Sequence, residues 1–193
     1  MIRRTLSLIF ILLNMGFVSG QNSNSEWYSE SQNNGIIIQN SLPKGGPYQG
    51  PAAGHYQPSY LVFFTRVINK TGKPLELDLH LSADSMAIPN SPDTYVKLFL
   101  PKETMSMDKR SLFSYGITEL ESLYQATSLK KKIAPNEDGL FYVVAFFYQT
   151  RPDAWSQERG GNRAELLLEG QNLYYNLLPQ IDHLPMGQLI FDQ

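Results

Sequence analysis

The stretch Tyr60–Ala83 limits most strongly what this chain can fold into. From Leu75 to Ser82 apolar and polar residues alternate, which is typical of a strand with one face on a core and one in water. The preceding Tyr60–Phe64 is apolar at every position and predicts a strand that needs cover on both faces. Because the polar segment Asn69–Pro74 predicts a turn between them, the stretch is interpreted as a hairpin.

A second run, Leu140–Gln149, is also apolar at odd and even positions and predicts a central strand. A second hairpin is predicted around Gly170-Gln171. The other segments with strand character are Gly35–Leu42, Thr94–Leu100, Arg163–Glu169, Asn172–Leu178 and Gln188–Phe191.

One short helix is predicted over Glu119–Ala126. Thr118, followed three residues later by Glu121, forms the pattern of a capping box. The apolar residues Leu120, Leu123 and Tyr124 have helical spacing and would share one face. A helix of this size is expected to plug one end of a sandwich or cover a sheet edge.

About eight short strands, frequent turn signals and one short helix predict an all-β fold. The expected architecture is an antiparallel β-sandwich, immunoglobulin-like in the loose sense, and a small β-barrel is the alternative. No internal repeat or second domain is visible, so residues 35–193 are interpreted as a single domain.

The N-terminus predicts a secretory signal peptide over residues 1–20. Arg3 and Arg4 precede an apolar segment, residues 6–18, and small residues lead to a cleavage site after about Gly20. The segment is shorter than the roughly 20 residues that span a bilayer, so no transmembrane anchor is expected. Residues 21–34 are polar and predict a disordered leader. We therefore expect a secreted or periplasmic protein.

Composition narrows the classes of partner and chemistry. The net charge is −2, and Lys130–Lys132 is the only basic run, so nucleic-acid binding is not expected. The 193 residues contain no cysteine, which excludes a disulfide framework and a cysteine nucleophile. The three histidines, His55, His80 and His183, are far apart in sequence, so the interpretation is surface imidazoles, with no metal or cofactor. No catalytic motif is present.

Aromatic content exceeds what one core needs, with eleven tyrosines, ten phenylalanines and two tryptophans. Aromatic rings on loops can stack against sugar rings or peptide side chains, although they can also simply pin a loop to the domain. Two long loops, residues 43–58 and 150–162, carry such rings. The candidate binding residues are Tyr48, Tyr56, Arg151, Asp153, Trp155 and Arg159.

These observations favour an exported, non-catalytic β-sandwich that binds a partner protein or a glycan, or serves as an accessory module of the cell envelope. The alternative is a hydrolase of extracellular or envelope polymers that uses two carboxyl groups roughly 5–10 Å apart in a cleft. Self-association through the doubly apolar strands is a third possibility. What covers the outer face of Tyr60–Phe64 and Leu140–Tyr148 separates these hypotheses. Asn69-Lys70-Thr71 also matches the N-glycosylation sequon.

Overall fold

The computed structural model describes residues 27–50, 55–91, 93–152, 163–179 and 181–191. These residues form twelve β-strands and no α-helix, and none lies in a helix that could cross a membrane. The strands are β1 (Ser29–Asn33), β2 (Ile36–Asn40), β3 (Lys44–Pro47), β4 (Tyr56–Asn69), β5 (Leu75–Leu81), β6 (Met86–Ala87), β7 (Thr94–Phe99), β8 (Thr127–Ile133), β9 (Asp138–Gln149), β10 (Arg163–Glu169), β11 (Asn172–Leu178) and β12 (Ile181–Phe191).

Two antiparallel sheets make up the fold. The first has the order β1-β2-β4-β9-β7-β6, with β3 pairing beside β2 on the same edge of β4. The second has the order β10-β11-β12-β5-β8. The predicted class, an all-β antiparallel sandwich, is confirmed. The expected count of about eight strands was too low. Strand β1 lies in the stretch predicted as a disordered leader, β3 lies in a predicted loop, and β6 and β8 were not among the predicted segments either.

The hairpin prediction for Tyr60–Ala83 is right about the strands and wrong about their pairing. Strand β4 pairs with β2, β3 and β9, whereas β5 pairs with β12 and β8 in the other sheet. The segment 70–74 therefore crosses between the sheets as an arch. Residues 134–137 form a second arch beside it, joining β8 in the second sheet to β9 in the first.

The side chain of Asn69 forms hydrogen bonds to both arches. Its side-chain amide donates hydrogen bonds to the carbonyls of Lys73 (2.8 Å) and Ile133 (3.1 Å). Its side-chain oxygen accepts from the backbone and hydroxyl of Thr71, and its backbone carbonyl accepts from Asn136. The residue is fully buried, so in the folded protein the sequon at Asn69 presents no free amide to a glycosylating enzyme.

The strands β4 and β9 are buried on both faces, as their composition predicts. Their inner faces meet the second sheet in the larger core, which includes Phe63, Val67, Phe141, Val143 and Ala145. Their outer faces form a second core. The second core is built on Val62, Phe64, Tyr142, Val144 and Phe146, and it includes Met105, Tyr115, Ile117, Leu120 and Leu123 from the connection between β7 and β8.

That connection, residues 100–126, is named the cover segment here. It contains three 3₁₀ turns, Met107–Ser111, Phe113–Gly116 and Glu121–Tyr124, so the predicted helix over Glu119–Ala126 is absent. The physical reason lies in the spacing of its leucines. In a 3₁₀ turn residues three apart share a face, so Leu120 and Leu123 reach the core together, while Tyr124 stays exposed.

The prediction of a disordered leader is wrong for residues 29–33. Strand β1 pairs with β2 through a two-residue turn in which Asn34 and Gly35 both have positive φ, at 46° and 80°. This is the favoured geometry of a short hairpin. Trp27, just before it, packs edge-to-face on Phe64 with ring centroids 5.3 Å apart. The described end of the leader is therefore part of the domain.

The predicted hairpin β10–β11 is present with a continuous register around Gly170-Gln171. The edge of β10 approaches β2, and the buried Asn40 side chain accepts a hydrogen bond from the backbone of Leu166 at 3.0 Å. Because this contact is made by a side chain and not by a strand ladder, the two sheets remain distinct, in agreement with a sandwich and not a closed barrel.

Candidate functional site

A groove of about 570 Å³ lies on the outer side of the first sheet, between the end of β3 and the cover segment. Aromatic rings form much of its lining, and Thr118 and Glu119 add polar groups. The aromatic residues that line it are Tyr48, Tyr60 and Phe113. Grooves that bind small ligands commonly combine apolar walls with a few polar groups in this way.

Tyr48 is placed by the short strand β3. A Cβ atom on Gly45 would collide with the carbonyl oxygen of Tyr60, so this pairing with β4 requires glycine at position 45. After β3, the backbone of Tyr48 donates to the carbonyl of Pro58 at 2.9 Å. The Tyr48 ring then meets Phe146 edge-on at 5.2 Å, and burial raises the pKa of its hydroxyl.

Phe113 is placed by hydrogen bonds between the cover segment and the first sheet. The ammonium of Lys44 donates to the carbonyls of Arg110 (2.6 Å) and Leu112 (3.1 Å), on the chain just before Phe113. On its other side, the hydroxyls of Ser114 and Tyr60 are hydrogen-bonded at 3.1 Å. The backbone is thus held at both sides while the Phe113 ring is 69% exposed.

A large exposed ring on a tethered backbone is unusual unless something contacts it. Contiguous exposed apolar surface marks interaction sites more often than single scattered residues do. Here the exposed ring of Phe113 adjoins the partly buried rings of Tyr48 and Tyr60 in one groove. This makes the groove the strongest candidate binding site among the described residues.

The structure brings only one of the candidate residues from the sequence, Tyr48, into this groove. Tyr56 opens β4 opposite Gln149, and it is 43% exposed. Arg151 follows β9 and is paired with Asp93 at the start of β7. These two residues lie at one end of the first sheet. Asp153, Trp155 and Arg159 lie outside the described residues.

Sequence reasoning missed Tyr60, Phe113 and Glu119 as groove residues. Tyr60 was assigned only to a strand that needs cover on both faces, and the helix predicted over Glu119–Ala126 was expected to plug an end of the sandwich or cover a sheet edge. Phe113 lies in a segment without strand or helix periodicity, so its sequence context gives no sign of exposure. One signal was available. The alternation of β7 places Lys97 on the same face as Tyr95 and Phe99, which puts a cation on an aromatic face of the first sheet.

His55 also differs from its prediction as a surface imidazole. Its ring lies 3.9 Å from the ring centroid of Tyr148, and its Nδ1 atom is buried. Burial lowers the pKa of His55, and the positive charge of Lys97 lowers it further. The imidazole is therefore neutral at neutral pH.

The described residues add no support for hydrolase chemistry. The groove is lined by one carboxylate, Glu119, and a second groove of about 370 Å³ at the other end of the cover segment is also lined by one, Glu103. A general acid needs a raised pKa. Instead, the hydrogen bond from Lys130 lowers the pKa of Asp78, and that from Ser106 lowers the pKa of Asp108. Within the described ranges, no three His, Asp or Glu side chains form a metal-binding group.

Together the fold and the groove define an all-β antiparallel sandwich with a groove lined by aromatic rings on one outer face. Comparisons with protein families, with curated proteins and with solved structures find no match for this chain. We therefore infer the function from the geometry of the chain itself.

Proposed function

We propose that this protein is an exported, non-catalytic binding module that holds a carbohydrate chain in the groove formed by Tyr48, Tyr60 and Phe113. The observation that carries the proposal is the exposed Phe113 ring, held on a tethered backbone beside two further rings. Sugar rings present flat apolar faces to aromatic side chains, and their hydroxyls need nearby polar groups. Thr118 and Glu119 could supply those polar groups.

Export is part of the proposal and is supported by the sequence of residues 1–20, which lie outside the described residues. The lack of cysteine agrees with a chain whose stability depends on its core and not on disulfides. A role as an accessory module of the cell envelope, or binding of a partner protein by the same groove, would use the same surface.

The hypothesis of self-association through the strands β4 and β9 depended on an apolar strand face without cover. The outer faces of these strands are buried under the cover segment, β3 and Trp27, so they offer no free apolar strand face. The groove residues thus become the surface to test.

The test is isothermal titration calorimetry of the mature protein against neutral oligosaccharides such as cello-, xylo-, manno- and laminari-oligomers. We expect one of these classes to bind, and Phe113→Ala to weaken its binding about five- to tenfold, since stacked aromatic contacts are commonly worth ~1–1.5 kcal/mol. Because Phe113 is exposed, its removal should change the free energy of unfolding by no more than about 0.5 kcal/mol.

Ile190→Ala is the matched control, since Ile190 is an exposed apolar residue on β12 of the other sheet. It should leave binding unchanged. If no oligosaccharide binds, neutral or acidic, or if Phe113→Ala and Ile190→Ala bind as the wild type does, the groove is not a carbohydrate site and the proposal fails.

A further inference from the structure

Lys97 is a buried cation beside the exposed aromatic ring of Tyr124. It lies on β7 beside Phe146 of β9, in the cross-strand row that continues to Tyr60 of β4. The residue is only 5% exposed, and its ammonium lies 5.9 Å from the ring centroid of Tyr124. Tyr124 itself is 59% exposed. The charge of Lys97 therefore sits at the inner side of an exposed ring.

The ammonium of Lys97 has no hydrogen-bonded partner among the described residues. Asp84 attracts it electrostatically without forming an ion pair, and burial lowers the pKa of Lys97 against that attraction. A buried charge costs folding free energy unless it is paired and hydrogen-bonded. Stability alone therefore does not explain a lysine at position 97.

His55 contributes a second unpartnered polar atom at the same corner. Its ring lies between Tyr148, at 3.9 Å, and Tyr124, at 6.3 Å between ring centroids. Its Nδ1 atom is buried and has no hydrogen-bond partner among the described residues. Unsatisfied buried polar atoms are few in native proteins, so the Nδ1 atom of His55, close to the largely buried Lys97 and to one exposed ring, suggests that a ligand completes the site.

We propose that Lys97 and His55 receive the carboxylate of an acidic sugar, a uronic acid unit, from a chain whose neighbouring rings pack on Tyr124 and in the groove. A carboxylate accepts hydrogen bonds from both an ammonium and an imidazole N–H. The surrounding rings favour a sugar as the carrier of that carboxylate over an acidic peptide. This inference rests on the proposed function, because it specifies the carbohydrate.

The dimensions agree with a short oligosaccharide. Tyr60 lines the groove, and Lys97 lies two strands away across Phe146. Two steps between neighbouring strands span about 10 Å, which is the reach of two linked sugar rings. Tyr48 lines the groove and Tyr124 lies beside Lys97, and these two tyrosines are close enough to interact electrostatically.

The experiment compares oligogalacturonate with its methyl-esterified form, which keeps the rings and removes the charge. Calorimetry on the full mature chain should show that the acid form binds about tenfold or more tightly. Lys97→Met should abolish this difference while leaving the binding of the ester unchanged. The same variant should have a higher melting temperature than wild type, because it removes a buried charge and keeps the side-chain volume.

Lys70→Met is the matched control, because it makes the same charge change at an exposed position in the arch 70–74. It should keep the preference for the acid form. A measurement on wild type alone adds a test that needs no variant: high salt should weaken binding of the acid form and not of the ester.

Three results would overturn the inference. The acid and the ester could bind equally, Lys97→Met could keep the preference, or an acidic peptide could bind while oligogalacturonate does not. In the first two cases the groove can still bind neutral sugar chains, and the proposed function stands. If neither form nor any neutral oligosaccharide binds, the proposed function fails together with the inference.

Discussion

The two faces of β4 and β9 are buried by different means. The inner face packs against a second sheet whose strands are joined by regular ladders. The outer face packs against the cover segment, whose described backbone hydrogen bonds run between residues three apart within the segment, such as Tyr115 to Leu112. Side chains fix the segment to the sheet, among them Tyr142, whose hydroxyl donates to the carbonyl of Tyr115 at 2.7 Å.

This difference explains where a binding surface can form. Neighbouring strands of a sheet are hydrogen-bonded without a gap up to the edge strands, so a sheet that covers a core leaves no groove across its face. An irregular segment can stop or turn where its side chains direct it, and the groove lies where the cover segment meets β3. Binding residues are commonly found on irregular segments supported by a rigid scaffold, and this arrangement follows that rule.

The largest expected effects come from Phe63 and Phe64, neighbours on β4 that point into the two different cores. Both are 1% exposed, so each substitution by alanine should cost about 3–5 kcal/mol of unfolding free energy. Phe63→Ala should destabilise the whole domain evenly. Phe64→Ala should first loosen the cover segment, because only side chains hold that segment in place.

Denaturant unfolding together with amide hydrogen exchange measures this pair. In Phe64→Ala, exchange in residues 105–124 should speed up more than in β5 and β12. If both variants raise exchange evenly over the chain, the cover segment unfolds only with the sandwich and the contrast between the two faces is wrong.

Asn69→Ala tests the junction of the two sheets with a smaller change. It removes a buried side chain that bonds Lys73, Ile133 and Thr71, and both carbonyls lose the amide donor, although that of Lys73 can still accept from the Thr71 hydroxyl. We expect a loss of about 2–3 kcal/mol, measured by chemical denaturation. Thr71→Ala, which removes one bonded hydroxyl, should cost less. An equal or larger loss from Thr71→Ala would contradict the assignment of Asn69 as the link between the arches.

The smallest effects, of opposite sign, are expected from two buried tyrosines. Tyr142 in the outer core donates a hydrogen bond to the carbonyl of Tyr115, so Tyr142→Phe should lower stability by about 1 kcal/mol. Tyr175 in the inner core buries a hydroxyl that has no hydrogen-bond partner within the described ranges. Tyr175→Phe should therefore raise stability, by up to about 1 kcal/mol. Thermal unfolding of both variants measures the signs.

Alkaline titration supplies the control for this pair. Burial raises the pKa of Tyr142 to about 12, with the acidic side chains Glu103 and Asp108 adding to the effect. A raised pKa in the folded state means that the stabilising contribution is complete below about pH 10 and is lost as the pH rises towards 12. Tyr142→Phe should reduce this loss. If Tyr142→Phe and wild type fall equally between pH 10 and 12, the hydroxyl is not buried as described.

Strand positions were predictable because burial imposes a period on the sequence. The alternation in β5 and the continuous apolar runs in β4 and β9 each led to the correct strands. The hairpin β10–β11 was predictable for the same reason, since its strands flank a turn of two residues. The turn Asn34-Gly35 carried an equally strong hairpin signal, but the polar composition around it led to the leader prediction.

The partner of a strand was not predictable from a longer turn. A turn such as 70–74 reverses the chain direction, and that reversal serves an arch between sheets as well as a hairpin within one. The pairing of β5 with β12 and β8 shows that the turn is an arch, and the buried side chain of Asn69 is bonded to both arches.

The amino-acid sequence by itself determined the all-β class and the presence of two strands that need cover on both faces, because periodicity and composition report burial directly. The tertiary structure decided what provides that cover and where it ends. The apolar residues of the cover segment follow no regular period, so the sequence does not report its three 3₁₀ turns or the exposure of Phe113. These features depend on packing between residues that are distant in sequence. The same is true of Lys97 on β7, which lies among aromatic rings.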